Sequence, residues 1–326
     1  MALATNVANI RYNGTGRAYA GAVAGASFDD LGELENLNFN MTVSTEKMKS
    51  TRNASRATIL EIETEREATL SFGLREMSEN NLKMALLGSA VNTMNQSASY
   101  VYQDAIGEEG DVALVDDLFI DLGKLDVFTT KLTGEITGTL TVGSTVTGDA
   151  SGATGKIAYL DSDYIELVNV SGTFETGETV EQSEGNHIVV SGIEVLEDVV
   201  VTNAAGGTRR VQGEDYDLDP DYGYIRKLST GGIIDTDVIS YDYGAVSKKY
   251  IWGMSAGSVE KKLIFVSDKD DQGLRQRWTF HRVRINLNGD FPLIGEGAAV
   301  LSVSGSVLKD TSQPNGQEFY KVEMMP

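Results

Sequence analysis

Short runs of β-branched and aromatic residues, separated by clusters of Gly, Asn and Asp, recur about every 8–15 residues along most of the chain. This spacing is typical of all-β domains, in which each run forms a strand and each cluster a turn. One segment at 78–87 departs from it, since Ser78 is a favourable N-cap, Leu82 and Ala85 recur at helical spacing, and Gly88 follows. The sequence therefore predicts a mostly-β fold with one short α-helix.

The middle of the chain differs in composition from its flanks. Residues 131–198 contain 2 basic and 12 acidic residues, are rich in Gly and Thr, and contain neither Trp nor Met. We interpret them as an inserted small all-β domain. The main domain then comprises a first part at 1–130 and a second β segment with the C-terminal strands at 199–326.

The formal net charge of −21 at pH 7 limits the partners of the chain. Affinity for nucleic acid comes largely from cationic side chains that displace condensed counterions, so sequence-specific DNA recognition is excluded as a main activity. The absence of Cys excludes thiolate zinc sites and a Cys nucleophile, and His187 and His281 are too few for a His-rich metal site. No run approaches the ~18 apolar residues of a membrane span, and the N-terminus lacks a secretory signal.

Three motifs invite a chemical interpretation but lack required residues. The acidic run at 215–221 places Pro220 and Arg226 where a calcium loop of the EF-hand type requires Gly and Glu. A Gly-rich segment that ends in Gly-Lys has Ala150 and Ile157 in place of the Gly and the Ser or Thr of a phosphate-binding loop. No Ser lies in a Gly-x-Ser-x-Gly turn. We therefore expect no catalytic residue, no metal site and no cofactor.

A polar segment at 44–55, which we term the arm, follows a predicted strand at 33–43. After the arm we expect a long hairpin at 56–76, with strands at 56–67 and 68–76. The arm is either a solvated loop or a flexible element that seeks an acidic surface on a neighbouring copy. The residues assigned to this contact are Thr45, Glu46, Lys47, Lys49, Arg52 and Arg56.

Four glutamates recur at every second position in the first strand of the predicted hairpin: Glu61, Glu63, Glu65 and Glu67. Because side chains alternate between the faces of a strand, this spacing predicts that all four carboxylates project from the same side. That side is either a solvated outer face or a wall of one charge sign along an aqueous cavity, where water screens the repulsion.

The order of these elements resembles that of the major tail tube proteins of long-tailed bacteriophages. The segment REMSENNLKMALLG at 75–88 is similar to a strand end of that family that runs into its single helix, and residues 274–310 are similar to its final strands. Residues 214–228 and 235–245 resemble the DY-x-x-D-x-x-x-G-x-I hairpin and the closing strand of phage tail and virion proteins.

The resemblance covers residues 20–125 and 200–320, whereas residues 131–198 resemble the small Gly/Thr-rich decoration modules of virion proteins. It implies a tail-tube-type β-sandwich or split barrel that forms rings, typically hexameric, which stack head to tail. In that arrangement the arm reaches the adjacent ring and the four glutamates line the lumen. A module that projects from the tube would crowd a contractile sheath, which favours a non-contractile tail.

The function implied by the resemblance is structural. A tube with a negatively charged lumen conducts viral DNA during ejection without binding it, because like charges keep the duplex from adhering. The implied partners are further copies of the chain, the tape measure protein, the tail terminator and the baseplate or tip proteins, with no membrane. The implied location is the virion tail, after assembly in the cytoplasm of the host bacterium. The alternative is a virion β-protein outside the tube, such as a baseplate or fibre-associated binding module.

Overall fold

The computed structural model describes residues 14–52, 56–106, 114–204, 206–270, 273–287, 290–295 and 297–325. The chain divides into two compact units. The first unit comprises residues 1–92 and 249–326, and the second comprises residues 93–248.

The fold is mostly β, with one helix among the described residues, which confirms the predicted fold class. The helix is α1 (Glu79–Ala85). The first eleven strands are β1 (Gly16–Gly21), β2 (Phe28–Asp30), β3 (Leu34–Lys49), β4 (Thr58–Leu74), β5 (Val91–Gln96), β6 (Ser99–Ala105), β7 (Phe119–Asp121), β8 (Val127–Thr137), β9 (Thr145–Gly148), β10 (Thr154–Leu160) and β11 (Tyr164–Ser171). The remaining strands are β12 (Thr179–Ser183), β13 (Asn186–Leu196), β14 (Val200–Asn203), β15 (Tyr216–Asp219), β16 (Tyr224–Lys227), β17 (Asp237–Tyr243), β18 (Val246–Ile251), β19 (Val259–Ser267), β20 (Arg275–Leu287), β21 (Leu301–Val307) and β22 (Tyr320–Met325).

The first unit is built on an eight-stranded sheet in the order β2-β1-β19-β20-β21-β4-β3, with β22 also paired to β20. In β21, buried Leu301, Val303 and Val307 alternate with partly exposed serines, as expected of a strand with one face on a core. The buried core contains apolar side chains from five strands, β1, β4, β19, β20 and β21, together with Met84 and Ala85 of α1. Helix α1 therefore covers one part of the sheet.

The predicted helix start is confirmed. Ser78 is the N-cap, and its hydroxyl accepts a hydrogen bond from the Asn81 backbone N–H at 3.3 Å. The Asn81 side chain is buried and donates to the backbone oxygens of Leu31 and Glu76 at 2.9 and 3.0 Å. The bond to Leu31 fixes the helix to the segment that precedes β3.

In the second unit, β8, β11, β10, β9, β12 and β13 pair in a closed cycle and form a six-stranded barrel. The barrel has an apolar core of its own, in which Leu132, Ile157, Ile165 and Ile188 have no exposed surface. A second core lies among β6, β7 and β14–β17. Both cores belong to one compact unit, so this unit extends well beyond the predicted inserted domain at 131–198. Composition did not show this, because the flanking segments at 93–130 and 199–248 are acidic as well, with 6 basic and 16 acidic residues between them.

Candidate assembly surface

A single long hairpin, β3 and β4, dominates one end of the sheet of the first unit. The two strands pair from Leu34 with Leu74 to Lys49 with Thr58. The arm predicted at 44–55 is therefore wrong as a separate loop, because residues 44–49 belong to β3, and residues 53–55 lie outside the described part. The hairpin predicted at 56–76 is also wrong, because residues 58–74 form one strand.

Pairing between the strands explains both corrections. The polar residues at 44–49 lie opposite the polar residues of β4, and Lys47 lies directly opposite Glu61. Opposite charges in such pairs stabilise a sheet. Between Glu67 and Ala68 the chain has none of the Gly, Pro, Asn or Asp residues that produce a tight turn, so β4 continues.

The solvent exposure of the hairpin changes along its length. At its base, Leu70, Phe72 and Leu74 are buried in the core, with Leu37 and Phe39 packed against them. Residues 40–49 and 58–67, in contrast, are exposed on both faces. We call this part, with the described connecting residues 50–52 and 56–57, the distal hairpin. Several of its exposed side chains are large and apolar: Met41, Val43, Met48, Ile59, Leu60 and Ile62.

The four glutamates do not share one face, so that prediction is wrong. Ser44 pairs with Glu65 but Thr45 pairs with Glu63, which leaves Thr64 as an extra residue in β4. Such a β-bulge interrupts the alternation of faces. Because directly paired residues share a face, Glu61 and Glu63 lie with Lys47 and Thr45, whereas Glu65 and Glu67 lie on the opposite face.

Contacts on the first of these faces support this assignment. Arg66 pairs with Glu63 through two hydrogen bonds, the one between Nη2 and Oε2 being 2.8 Å long. Residues three apart lie on opposite faces of a regular strand, and only the bulge brings these two together. Thr45 donates a hydrogen bond to Glu61 at 2.8 Å, and the Lys47 Nζ lies 3.4 Å from the same carboxylate.

Lys47 and Arg66 balance the negative charge of Glu61 and Glu63 on this face. The hydrogen bond from Thr45, followed by the contact with Lys47, lowers the pKa of Glu61 below its usual value. The hydrogen bond from Arg66 lowers the pKa of Glu63 in the same way. Both carboxylates are therefore ionised at neutral pH and are matched by a cation on the same face. The remaining stripe of like charge is Glu65 and Glu67.

The opposite face of the distal hairpin becomes apolar beyond the bulge. Glu46 pairs with Ile62 and Met48 pairs with Leu60, so these four side chains share the face that carries Glu65 and Glu67 nearer the base. Leu60 and Ile62 are each 48% exposed. The apolar part of this face lies next to the connecting residues.

Cations concentrate at the connection between the strands. Lys49, Arg52 and Arg56 are exposed, and no acidic residue occurs at 48–60. The backbone N–H of Ser50 donates to the Ala57 carbonyl at 2.8 Å, and this bond joins the two segments just beyond the last paired residues of the strands. We call these three cations the basic tip.

Strand β3 is also the last strand of its sheet. Among the described residues it pairs with β4 alone, so a 16-residue strand has one unpaired edge. A long unpaired edge presents a row of N–H and C=O groups to any other strand and is normally blocked in monomeric proteins.

Two loops of the first unit add exposed apolar side chains that the sequence analysis missed. Trp252 and Met254 are 65% and 86% exposed, and Leu293 and Ile294 are 86% and 97% exposed. In each loop the sequence feature that marks these side chains is a pair of apolar residues next to a glycine, Gly253 in one loop and Gly295 in the other. Large exposed apolar patches mark interaction sites in soluble proteins.

The motifs that lacked required residues occupy ordinary structural positions. The acidic run at 215–221 contains β15 and the turn to β16, and Asp215 accepts backbone hydrogen bonds from Val211 and Gly232. His281 is buried in β20, and this burial lowers its pKa.

The described residues contain no group of three or more His, Cys, Asp or Glu side chains that could hold a metal ion. Within those residues, no helix has the length and apolar character needed to span a membrane.

One family model matches the sequence, and its description is Protein of unknown function UCP028589. The match covers residues 11–156 and 164–321, which is nearly the whole chain. No curated protein matches the sequence.

Proposed function

The chain belongs to the family described as Protein of unknown function UCP028589, and from the geometry of its assembly surface we propose that it is a structural subunit that polymerises into a bacteriophage tail tube. The observation that carries the proposal is the distal hairpin, with both faces exposed and large apolar side chains on each. A two-stranded hairpin in water is at best marginally stable, so a ribbon of this length needs a partner surface.

The partner that fits best is a further copy of the chain. The distal hairpin extends from one end of the sheet. In the proposed polymer it contacts a different surface on the next copy. Contacts of this heterologous kind repeat without limit unless they close into a ring. The unpaired edge of β3 offers a second heterologous contact, by which sheets of neighbouring copies join side by side.

The resemblance to tail tube proteins supplies the form of the polymer. We propose hexameric rings that stack head to tail, located in the virion tail, with the tape measure, terminator and tip proteins as partners. Viral DNA passes through the lumen without sequence-specific contacts. The charge of the lumen then depends on which face of the hairpin lines it, since Glu65 and Glu67 share one face and the ion-paired Glu61 and Glu63 share the other.

Electron microscopy of the purified protein tests the proposal. We expect rings or tubes of negatively stained protein at high concentration. In the test variant, residues 44–65 are replaced by Asn-Gly, which joins the paired residues Val43 and Arg66 through a two-residue turn. Because the buried base of the hairpin is retained, this variant should fold and stay monomeric.

A matched control changes an exposed residue of the second unit, Tyr222→Ser, and should assemble like the original chain. Monomers of the original chain at all concentrations, or normal tubes from the shortened variant, would contradict the proposal.

One observation favours the alternative of a virion binding module outside the tube. Tyr222 and Tyr224, 60% and 40% exposed, stack with their ring centroids 6.0 Å apart, and exposed Phe119 contacts Arg226. Exposed aromatic groups are enriched at binding sites. If that alternative holds, Tyr222→Ser should reduce attachment of virions to cells and the shortened hairpin should not.

A further inference from the structure

An open apolar groove of about 380 Å³ lies in the first unit, beside the base of the hairpin. Aromatic side chains form most of its wall. The Phe39 ring lies 5.8 Å from Trp278, 5.3 Å from Phe280 and 5.2 Å from Tyr320, measured between ring centroids. The lining residues are Leu37, Phe39, Leu70, Phe265, Gln276, Trp278 and Phe280.

A second, polar cavity adjoins this groove, since Leu37 and Phe265 line both. Its volume is about 710 Å³, and we call it the acidic mouth. The charged residues that line it are Asp30, Glu33, Glu35, Glu76 and Asp268, with Arg17 as the one cation among them. Arg75 also approaches Glu35, to 3.6 Å. Because five carboxylates face these two cations, the mouth keeps an excess of negative charge.

The distal hairpin has matching properties in the same order. Its apolar side chains Met48, Leu60 and Ile62 share one face, and the basic tip follows directly with Lys49 and Arg52. An apolar surface followed by positive charge therefore corresponds to an apolar groove followed by negative charge. Complementary charges of this kind fix the register and orientation of a contact.

The hairpin of the same copy cannot fill its own groove. Phe39, in the wall of the groove, and Lys49, at the tip, lie on one continuous strand that stays paired with β4. Ten residues of strand span ~33 Å at ~3.3 Å per residue. The occupant must therefore come from another copy.

We propose that the distal hairpin of a second copy of this chain docks in the groove, with Met48, Leu60 and Ile62 against the aromatic wall and the basic tip towards the acidic mouth. The inference rests on the proposed function, because it names the receptor for the hairpin in each successive copy. Each copy supplies one hairpin and one groove, so the contact propagates as an open chain.

Cysteine cross-linking tests this inference, and the absence of native Cys makes every cross-link specific to introduced residues. Two full-length variants, Ile62→Cys and Gln276→Cys, are purified separately, mixed under assembly conditions and treated with a short bis-maleimide. We expect a covalent dimer on a denaturing gel, and none from either variant alone. The matched control is Thr45→Cys mixed with Gln276→Cys, because Thr45 lies near the same level of the hairpin on the other face.

A charge variant gives a second measurement. Lys49→Glu together with Arg52→Glu in the Ile62→Cys chain should reduce the yield of the dimer severalfold. Glu33→Lys together with Glu76→Lys in the Gln276→Cys chain should restore it. Restoration by reversed charges would show that the basic tip and the acidic mouth face each other.

The outcomes separate this inference from the proposed function. Tubes together with a dimer from position 62 and none from position 45 support both. Tubes without a dimer from position 62 overturn the docking site and leave the tube proposal standing. A dimer without rings or tubes supports the docking site and overturns the tube. The absence of both overturns both.

Discussion

Replacement of Arg209 by Met should strongly destabilise the second unit. The Arg209 guanidinium is 11% exposed and contacts two carboxylates, Glu166 at 2.7 Å and Asp198 at 2.9 Å. It also donates to the Tyr216 hydroxyl at 3.1 Å. Met fills a similar volume but leaves Glu166, which is 5% exposed, without its cation.

The size of the loss in the free energy of unfolding follows from the carboxylates that remain without a cation. Removal of one partner of a buried ion pair costs about 3–5 kcal/mol, because an uncompensated charge stays in a medium of low polarity. Two carboxylates lose their cation here, and Asp198 keeps a 2.7 Å contact with the Tyr216 hydroxyl. We therefore expect a loss of about 3–5 kcal/mol in the free energy of unfolding of the second unit.

The chain offers a convenient assay for this change. Its two tryptophans, Trp252 and Trp278, both belong to the first unit. Tryptophan fluorescence in a urea titration therefore follows the first unit, whereas far-UV circular dichroism follows both. Arg209→Met should shift the transition seen by circular dichroism and leave the fluorescence transition in place.

Two comparisons make the result decisive. Glu181→Gln, an exposed change in the same unit, should alter stability by less than about 0.5 kcal/mol. Arg209→Met combined with Glu166→Gln and Asp198→Asn should recover much of the loss, because no charge is then left unpaired. A loss below about 1 kcal/mol from Arg209→Met, or no recovery in the triple variant, would refute the argument.

Three further predictions concern the barrel, the pH dependence and the hairpin. Gly134→Ala should cost about 1–3 kcal/mol in the second unit, because its Cβ would lie 2.0 Å from the Val189 carbonyl oxygen, whereas Gly192→Ala meets no atom closer than 3.8 Å and should be tolerated in urea titrations. Burial raises the pKa of Asp242 to about 6, so its contribution to stability is full below pH 4 and is lost as pH rises through 6; Asp242→Asn should abolish that slope in thermal unfolding, and an unchanged slope would contradict it. Glu65→Lys with Glu67→Lys should permit assembly but lower the infectivity of virions if that face lines the lumen, and undiminished plaque titres would exclude it.

Local signals in the sequence predicted much of the fold. The existence and the start of the helix were predicted correctly because its N-cap and its apolar spacing lie within a few residues, whereas its end lies at Ala85 and not at 87. The alternation of apolar residues with serine in β21 is a local signal of the same kind, since alternation along one strand needs no knowledge of its partner.

The bulges could not be predicted in this way, because an extra residue exists only relative to the partner strand. Thr64 is extra because Ser44 and Thr45 face Glu65 and Glu63. A register shift in β20 likewise brings Phe280 and Val283 into the same core, although their spacing places them on opposite faces of a regular strand. The sequence therefore predicted that the four glutamates lie on one strand, but not the faces to which they point.

The two faces of the distal hairpin have different physical roles. The ion pairs on one face are exposed, and such pairs are worth little, so they keep that face soluble without stabilising the ribbon. Copies that each carry a net charge of −21 also repel one another until salt screens them beyond ~8 Å. In the proposed polymer we expect the affinity between copies to come from Met48, Leu60 and Ile62 on the other face, because burial of apolar surface is not weakened by this screening. In the same proposal the basic tip fixes the orientation of the contact, which a non-directional apolar contact does not provide.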